Sequence, residues 1–288
     1  MKTKRTIVSS LLILGLLAGC GNSAENGQEP GHGHAAGHEA DHNQGEQHAG
    51  HGTEQKAPAA NLKASVAFAS GSAKAKENTE LRVRITDQNG APVNQFDISH
   101  EKLLHLIIVN RDLSYFSHIH PEFKGDGTFV IQTAFPAGGT YKVFADFKPA
   151  GGSGTTWSEW VDVGGTEGEH VPVTPDSSLV KQVDDKEIEL SMSGVKAKEE
   201  VLLTFEIRDA KTKEGINDLE PYLGAVGHVV ILSEDAGQYL HVHPLDEKAT
   251  GPKAQFATSF PKSGIYKIWG QFQHKGKVFT VPFVVKVN

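Results

Sequence analysis

Two stretches of this chain lie over one another with unchanged internal spacing: HLIIVNRDLSYFSHIHP at 105–121 and HVVILSEDAGQYLHVHP at 228–244. Each opens on a histidine and closes, after twelve intervening residues, on His-x-His-Pro, so His105, His118 and His120 match His228, His241 and His243. Farther along, Phe135-Pro136…Tyr141-Lys142 recurs as Phe260-Pro261…Tyr266-Lys267. Such self-similarity marks one supersecondary unit present twice, so the fold must be one that a chain can build in tandem. Six histidines at matched positions point to metal, because neutral imidazole is the commonest protein metal ligand.

The repeated unit reads as β structure. In the first copy, short alternating segments fall near 62–69, 79–87, 103–109, 115–120, 127–134, 139–147 and 156–163. In the second they fall near 187–193, 200–209, 227–232, 238–243, 254–260, 264–273 and 276–287. In Glu80-Leu81-Arg82-Val83-Arg84-Ile85 apolar and charged residues alternate, the mark of a sheet with one wet face, and Asn89-Gly90 supplies a turn. Seven short strands in roughly 110 residues predict an all-β chain of two tandem sandwiches, immunoglobulin or cupredoxin-like, a choice that pattern alone leaves open. The first occupies 61–164 and the second 181–288, joined by a linker at 165–180.

Within each copy the spacing sets a geometry. His118 and His120 are two apart on a strand and leave the same face, with Ile119 on the other. A four-residue loop, Arg111 to Ser114 or Glu234 to Gly237, places His105 opposite His120 and His228 opposite His243. Cross-strand neighbours about 5 Å apart at Cβ allow three imidazoles to converge on one ion, whereas a loop one residue shorter would turn the first histidine away. The ligand layout, though not the fold, is similar to the zinc site of α-carbonic anhydrases. Aligning Phe144-Ala145-Asp146-Phe147 with Trp269-Gly270-Gln271-Phe272 sets Asp146 against Gln271 and Lys148-Pro149 against Gln273-His274. Asp146 is therefore the expected oxygen ligand of the first triad and His274 an added ligand of the second, with His100 and His170 as weaker candidates. A lone His-x-His-Pro would more often be surface histidines closing a strand; the matched duplication favours a site.

The amino-terminal stretch carries different signals. Lys2, Lys4 and Arg5, an apolar run from Ile7 to Leu17 and the sequence Leu17-Ala18-Gly19-Cys20 read as a lipoprotein signal over 1–19, with lipid on Cys20. The run is shorter than the ~20 residues of a stable span. Cys20 is the only cysteine, so its lipidation leaves no thiol for a disulfide or a thiolate metal site. Residues 20–60 have almost no large apolar side chain and read as a disordered tether of roughly 35 Å root-mean-square reach. The tether carries His32, His34, His38, His42, His48 and His51 among Glu39, Asp41 and Glu46, a composition suited to labile capture of borderline divalent ions. Loss of residues 1–19 with their three cations takes the formal charge from −7 to −10, which argues against nucleic acid and against an anionic bilayer surface as partners.

The run Glu220-Pro221-Tyr222-Leu223-Gly224-Ala225-Val226-Gly227-His228, with Tyr239-Leu240-His241-Val242-His243-Pro244 and Phe272-Gln273-His274, resembles bacterial secreted or lipid-anchored β-sandwich proteins with YtkA-like or cupredoxin-like domains. The resemblance covers 185–288 well and 78–163 more loosely, and it implies copper or heavy-metal handling without an established activity. Met192 is the only methionine besides Met1, and no free thiol remains, so neither a dedicated Cu(I) site nor a blue-copper centre fits; three histidines suit Cu(II) or Zn(II). The expectation is a lipid-anchored protein on the outer face of the cytoplasmic membrane that binds divalent ions, copper before zinc, for buffering, resistance or delivery to a membrane metal transporter. Two other classes stand beside it: a metal-free interaction module that docks a membrane partner and whose histidines sense pH, and, below it, a hydrolase with a His₃ metal, for which no convincing general base is at hand although Glu122 and Asp246 follow the two His-Pro pairs.

Overall fold

The computed structural model of the chain describes residues 62–288. Cys20 and the tether histidines at 32–51 lie outside the described residues. The first half contains β1 (Lys63–Phe68), β2 (Ala73–Lys74), β3 (Asn78–Thr86), β4 (Phe96–Asp97), β5 (Leu104–Asn110), β6 (Phe116–Ile119), β7 (Glu122–Gly125), β8 (Thr128–Ala134), β9 (Gly139–Pro149) and β10 (Thr155–Gly164). The second half contains β11 (Val180–Val183), β12 (Lys186–Met192), β13 (Glu200–Asp209), β14 (His228–Ser233), β15 (Tyr239–Val242), β16 (Lys253–Ser259), β17 (Gly264–His274) and β18 (Lys277–Val287). The alternating and apolar segments of the sequence are thus strands. The additional strands β2, β4, β7 and β11 are two to four residues long, too short to carry a period. β11 also begins inside the expected linker, at Val180.

The described residues are all-β, two tandem sandwiches with one plan. In the first, the order β1-β3-β8-β7 makes one sheet and β2-β10-β9-β5-β6 the other, with β4 added to β9. In the second the orders are β11-β12-β13-β16 and β15-β14-β17-β18. Stripped of short additions, each sandwich packs three strands on four in immunoglobulin-type order. Both also have a tyrosine corner at the start of the equivalent strand. The Tyr141 hydroxyl donates to the Ala137 carbonyl and that of Tyr266 to Lys262, each at 2.9 Å. This decides the topology in favour of the immunoglobulin type. Tyr141→Phe or Tyr266→Phe keeps the buried ring and deletes the donor. Each is expected to cost about 1–2 kcal/mol in urea unfolding, and an unchanged midpoint would show that the corner does not support the fold.

Each sandwich has its own apolar core. In the second, Phe205 of β13 meets Phe272 of β17 and Phe283 of β18 across the sheets. In the first, Phe96 gathers the rings of Phe123, Phe129 and Phe147. β3 shows the half-wet alternation expected, with Leu81, Val83 and Ile85 buried between more exposed neighbours. β5 and β14 do not alternate. Both are buried along nearly every residue. Leu104, Leu106 and Ile108 enter the first core, and Val229 and Ile231 the second. The opposite faces, Ile107 and Val109 on β5 and Val230 and Leu232 on β14, pack into a third apolar cluster shared by the two sandwiches.

Candidate metal centre between the sandwiches

The shared cluster is built from matching residues of the two copies. Leu113 and Phe144 join Ala236 and Trp269 in it, and Phe116 and Tyr239 flank it. Phe116 stacks on Trp269 at 4.6 Å, and Phe144 stacks on Tyr239 at 4.9 Å. Lys142 Nζ donates to the Ala236 carbonyl at 2.7 Å, and Lys267 Nζ to the Leu113 carbonyl at 2.8 Å. In each pair, a residue of one copy meets the residue that matches its partner's counterpart in the other. This is the signature of a twofold, isologous interface, here between two halves of one chain. At one end of this interface lie the histidines.

The hairpin register is the one that the loop length implied. Leu106 pairs with Ile119 and Ile107 with His118, which carries His105 opposite His120; Val229 pairs with Val242, which carries His228 opposite His243. In the first triad, His105 Nδ1 lies 3.0 Å from His118 Nε2 and 3.2 Å from His120 Nε2. Among the described residues this is the one set of three His, Cys, Asp or Glu whose donor atoms all fall within 4.8 Å. The second triad is more open. His228 Nδ1 is 3.3 Å from His241 Nε2, and the rings of His241 and His243 are 5.0 Å apart. The two triads adjoin: His105 is 5.4 Å from His241 and 6.2 Å from His228, ring to ring.

Outer hydrogen bonds fix which ring nitrogens are bare. The Ser99 carbonyl can only accept, so His105 Nε2, 2.9 Å away, carries the proton and Nδ1 of the neutral ring is a lone pair. His118 Nδ1 donates to Gln271 Oε1 at 2.7 Å, while the Gln271 amide nitrogen donates to Thr280 Oγ1, so His118 Nε2 is also bare. In the second triad, His228 Nε2 donates to the Leu223 carbonyl at 3.4 Å and His241 Nδ1 donates to Asp146 Oδ2 at 2.8 Å. His228 Nδ1 is thus a lone pair that faces His241 Nε2. Facing lone pairs repel unless a proton or a metal ion lies between them. A tetrahedral ion about 2.1 Å from each nitrogen would hold them roughly 3.4 Å apart, close to the spacings seen.

Protons are disfavoured there. Burial lowers His105 to about 4, with the Ser99 carbonyl opposing the shift and His241 adding to it. Burial, then His241 and His100, lower His228 to about 2. His120 falls to about 3 by burial and by His105, and His118 and His243 are lowered chiefly by burial as well. At neutral pH these five rings are therefore uncharged bases with their lone pairs available.

Four candidate ligands sit elsewhere than the sequence suggested. Asp146 is registered opposite His105 on β9 but does not serve the first triad; its carboxylate crosses to His241 of the second. Gln271, registered opposite His228, crosses to His118 in return. His274 is not a ligand of the second triad: it stands three residues from Gln271, on the opposite face of β17, and Nε2 bonds Asp218 at 3.1 Å. His170 pairs with Asp112 beside the linker. His100, a weaker candidate for the first copy, instead sits against the second. Its ring lies 4.0 Å from His243 and 4.9 Å from His228. Of the two candidate bases, Glu122 pairs with Lys124, and Asp246 accepts from the backbone of Lys248.

A signal for this arrangement was present in the sequence. HLIIVN and HVVILS lack the alternation of a sheet with one wet face, and a strand apolar on both sides needs a second cover.

Comparison with known proteins adds a family. The model of a domain of unknown function, DUF8832, matches at 59–165 and again at 181–288. No curated protein matches the chain. Among solved structures, the Escherichia coli adhesin FdeC is 18% identical, over 79% of this chain and 65% of that one, with a TM-score of 0.27. A tetra-tandem repeat from the extending region of a large adhesion protein is 12% identical over 78% and 49%, TM-score 0.25. Domains 4 and 5 of the S-layer protein SbsC are 12% identical over 78% and 97%, TM-score 0.23. The chain spans less than two thirds of the length of either adhesin structure.

Proposed function

Through both sandwiches this chain belongs to the DUF8832 family, and on that premise we propose that it is a non-catalytic metal-binding protein, lipid-anchored outside the cytoplasmic membrane, holding Cu(II) or Zn(II) at the paired histidines. The observation that carries the reading is the 3.0 Å approach of two bare ring nitrogens, His105 Nδ1 and His118 Nε2, with both protons committed elsewhere. Imidazoles oriented by outer hydrogen bonds of this kind are the usual form of a metal ligand. Copper ranks first on the resemblance to copper-handling secreted sandwiches and zinc next, and both accept nitrogen-rich sites without thiolate. Metal buffering, resistance or delivery to a membrane transporter are the roles that such a protein would serve. The His₃ hydrolase reading loses support because Glu122 and Asp246 are engaged away from the rings.

The test is metal analysis and titration of the full, untagged chain. His118→Ala with His120→Ala is expected to remove about one equivalent of bound ion at neutral pH, with the fold retained in circular dichroism. Unchanged stoichiometry and affinity would overturn the reading and leave the paired sandwiches as a metal-free docking module.

A further inference from the structure

The two triads arose from one repeated motif, yet the residues around them differ at two matched positions, and both differences favour the second triad. The first position is the tip of a tight turn. Ser99–Lys102 and Tyr222–Ala225 are matching turns, each closed by a backbone bridge between its ends. Each has two central residues at positive φ: His100 (46°) and Glu101 (64°) in one, Leu223 (54°) and Gly224 (78°) in the other. Two such residues in succession are the geometry of a type I′ turn, which favours asparagine, aspartate and glycine. The first copy accepts that conformation and thereby carries the His100 ring across the interface. It lies 4.0, 4.9 and 5.9 Å from the rings of His243, His228 and His241. Four imidazoles on one tetrahedral ion have ring centres about 5 Å apart, so the His100 ring is near enough to serve as a fourth ligand once side-chain rotation turns the donor atoms of this set, less convergent than those of the first triad, onto an ion. The matching residue of the other copy is Leu223, which has no donor atom.

The second position is the outer partner. His241 of the second triad donates to the Asp146 carboxylate, whereas His118 of the first donates to the Gln271 amide. A carboxylate behind an imidazole makes it a stronger donor and offsets part of the ion's charge; an amide orients the ring without doing either. Both reinforcements, His100 and Asp146, come from the first sandwich and act on the second one's triad.

We propose that the duplicated sites have diverged into an inequivalent pair: a retentive four-histidine site of His228, His241, His243 and His100, completed across the interface, and an exchangeable three-histidine site of His105, His118 and His120 with an open position. This rests on the metal-binding reading above and adds an order of filling, the second triad first. Closed four-coordinate sets are characteristic of ions that stay, and three-ligand sets with an open position of ions that react or exchange. The first triad, although the more compact, is then the point at which a divalent ion enters or leaves.

The experiment uses the full chain with His32, His34, His38, His42, His48 and His51 replaced by serine, titrated with Cu²⁺ against a competing chelator. His118→Ala/His120→Ala isolates the second site and His241→Ala/His243→Ala the first. The second site alone should bind Cu²⁺ at least about tenfold tighter than the first alone. His100→Leu places in this turn the residue that its counterpart already tolerates at positive φ. It should weaken the second site about 10- to 100-fold, remove one nitrogen coupling from the paramagnetic resonance spectrum, and leave the first site unchanged. Gln271→Glu, of the same length, should tighten the first site about tenfold, a gain that misfolding cannot produce. Equal affinities of the two isolated sites, or a second site indifferent to His100→Leu in both affinity and nitrogen count, would overturn the inference while sparing the metal reading. No copper bound in either background would overturn both.

Discussion

At pH 5 the docked, metal-free chain should be at least about 4 kcal/mol less stable than at pH 7.5, two fully buried rings supplying that much and the less buried His118, His120 and His243 adding to it. His105 and His228 are held near 4 and 2 in the fold, against 6.5 for an unfolded histidine. Above pH 6.5 the ring is neutral in both states and the burial costs nothing. Below it, the unfolded chain binds a proton that the fold refuses, so each ring loses about 1.4 kcal/mol per pH unit until its folded value is reached. At pH 5 that is about 2 kcal/mol for each ring, whether the strain is relieved by unfolding or by parting the sandwiches. Urea unfolding at the two pH values, followed by tryptophan fluorescence, measures it. A midpoint independent of pH would show that the rings are protonated in the fold, and hence that the two lone pairs do not face each other. With metal bound the dependence should steepen, because acid then competes with the ion for the same nitrogens.

Trp269→Ala should cost about 3–5 kcal/mol and should act on the site without touching it. The indole is buried, stacks on Phe116 and fills the cluster shared by the sandwiches. Its loss leaves a cavity at the seam. The nearest relief is separation of the halves, which would break His241–Asp146 and His118–Gln271 together. Small-angle scattering should show a more extended chain, and metal affinity should fall although no histidine is altered. If stability falls and affinity does not, the outer hydrogen bonds across the interface are not what orients the ligands. Phe144→Ala, at the matching position, should behave alike because it stacks on Tyr239 in the same way.

The strands and the triads were legible in the linear chain because both depend on short-range periodicity. Side chains two apart on a strand share a face whatever surrounds it, and a four-residue loop sets the hairpin register, so His105 opposite His120 follows from counting. The tyrosine corners were visible as a repeated Phe-Pro…Tyr-Lys, though their meaning needed the hydrogen bonds to Ala137 and Lys262. The unalternating runs of β5 and β14 announced a second cover without naming it.

What covers those strands was decided by tertiary structure alone. Alignment of the repeats could set Asp146 against Gln271, but it compares positions within each copy and is silent on which copy a side chain faces. Docking through a twofold interface exchanges them, so each sandwich supplies the hydrogen-bond acceptor behind the other's second histidine. The same docking brings His100 to a triad 128 residues away in the chain at His228. His274 failed as a ligand for a reason that counting alone could have found, since three residues along a strand reverse the face. The composition and spacing of this chain thus set the strands and the triads. Their union into one centre, and the inequality of its halves, came from burying the apolar faces of β5 and β14 against each other, an interaction whose partner no local pattern specifies.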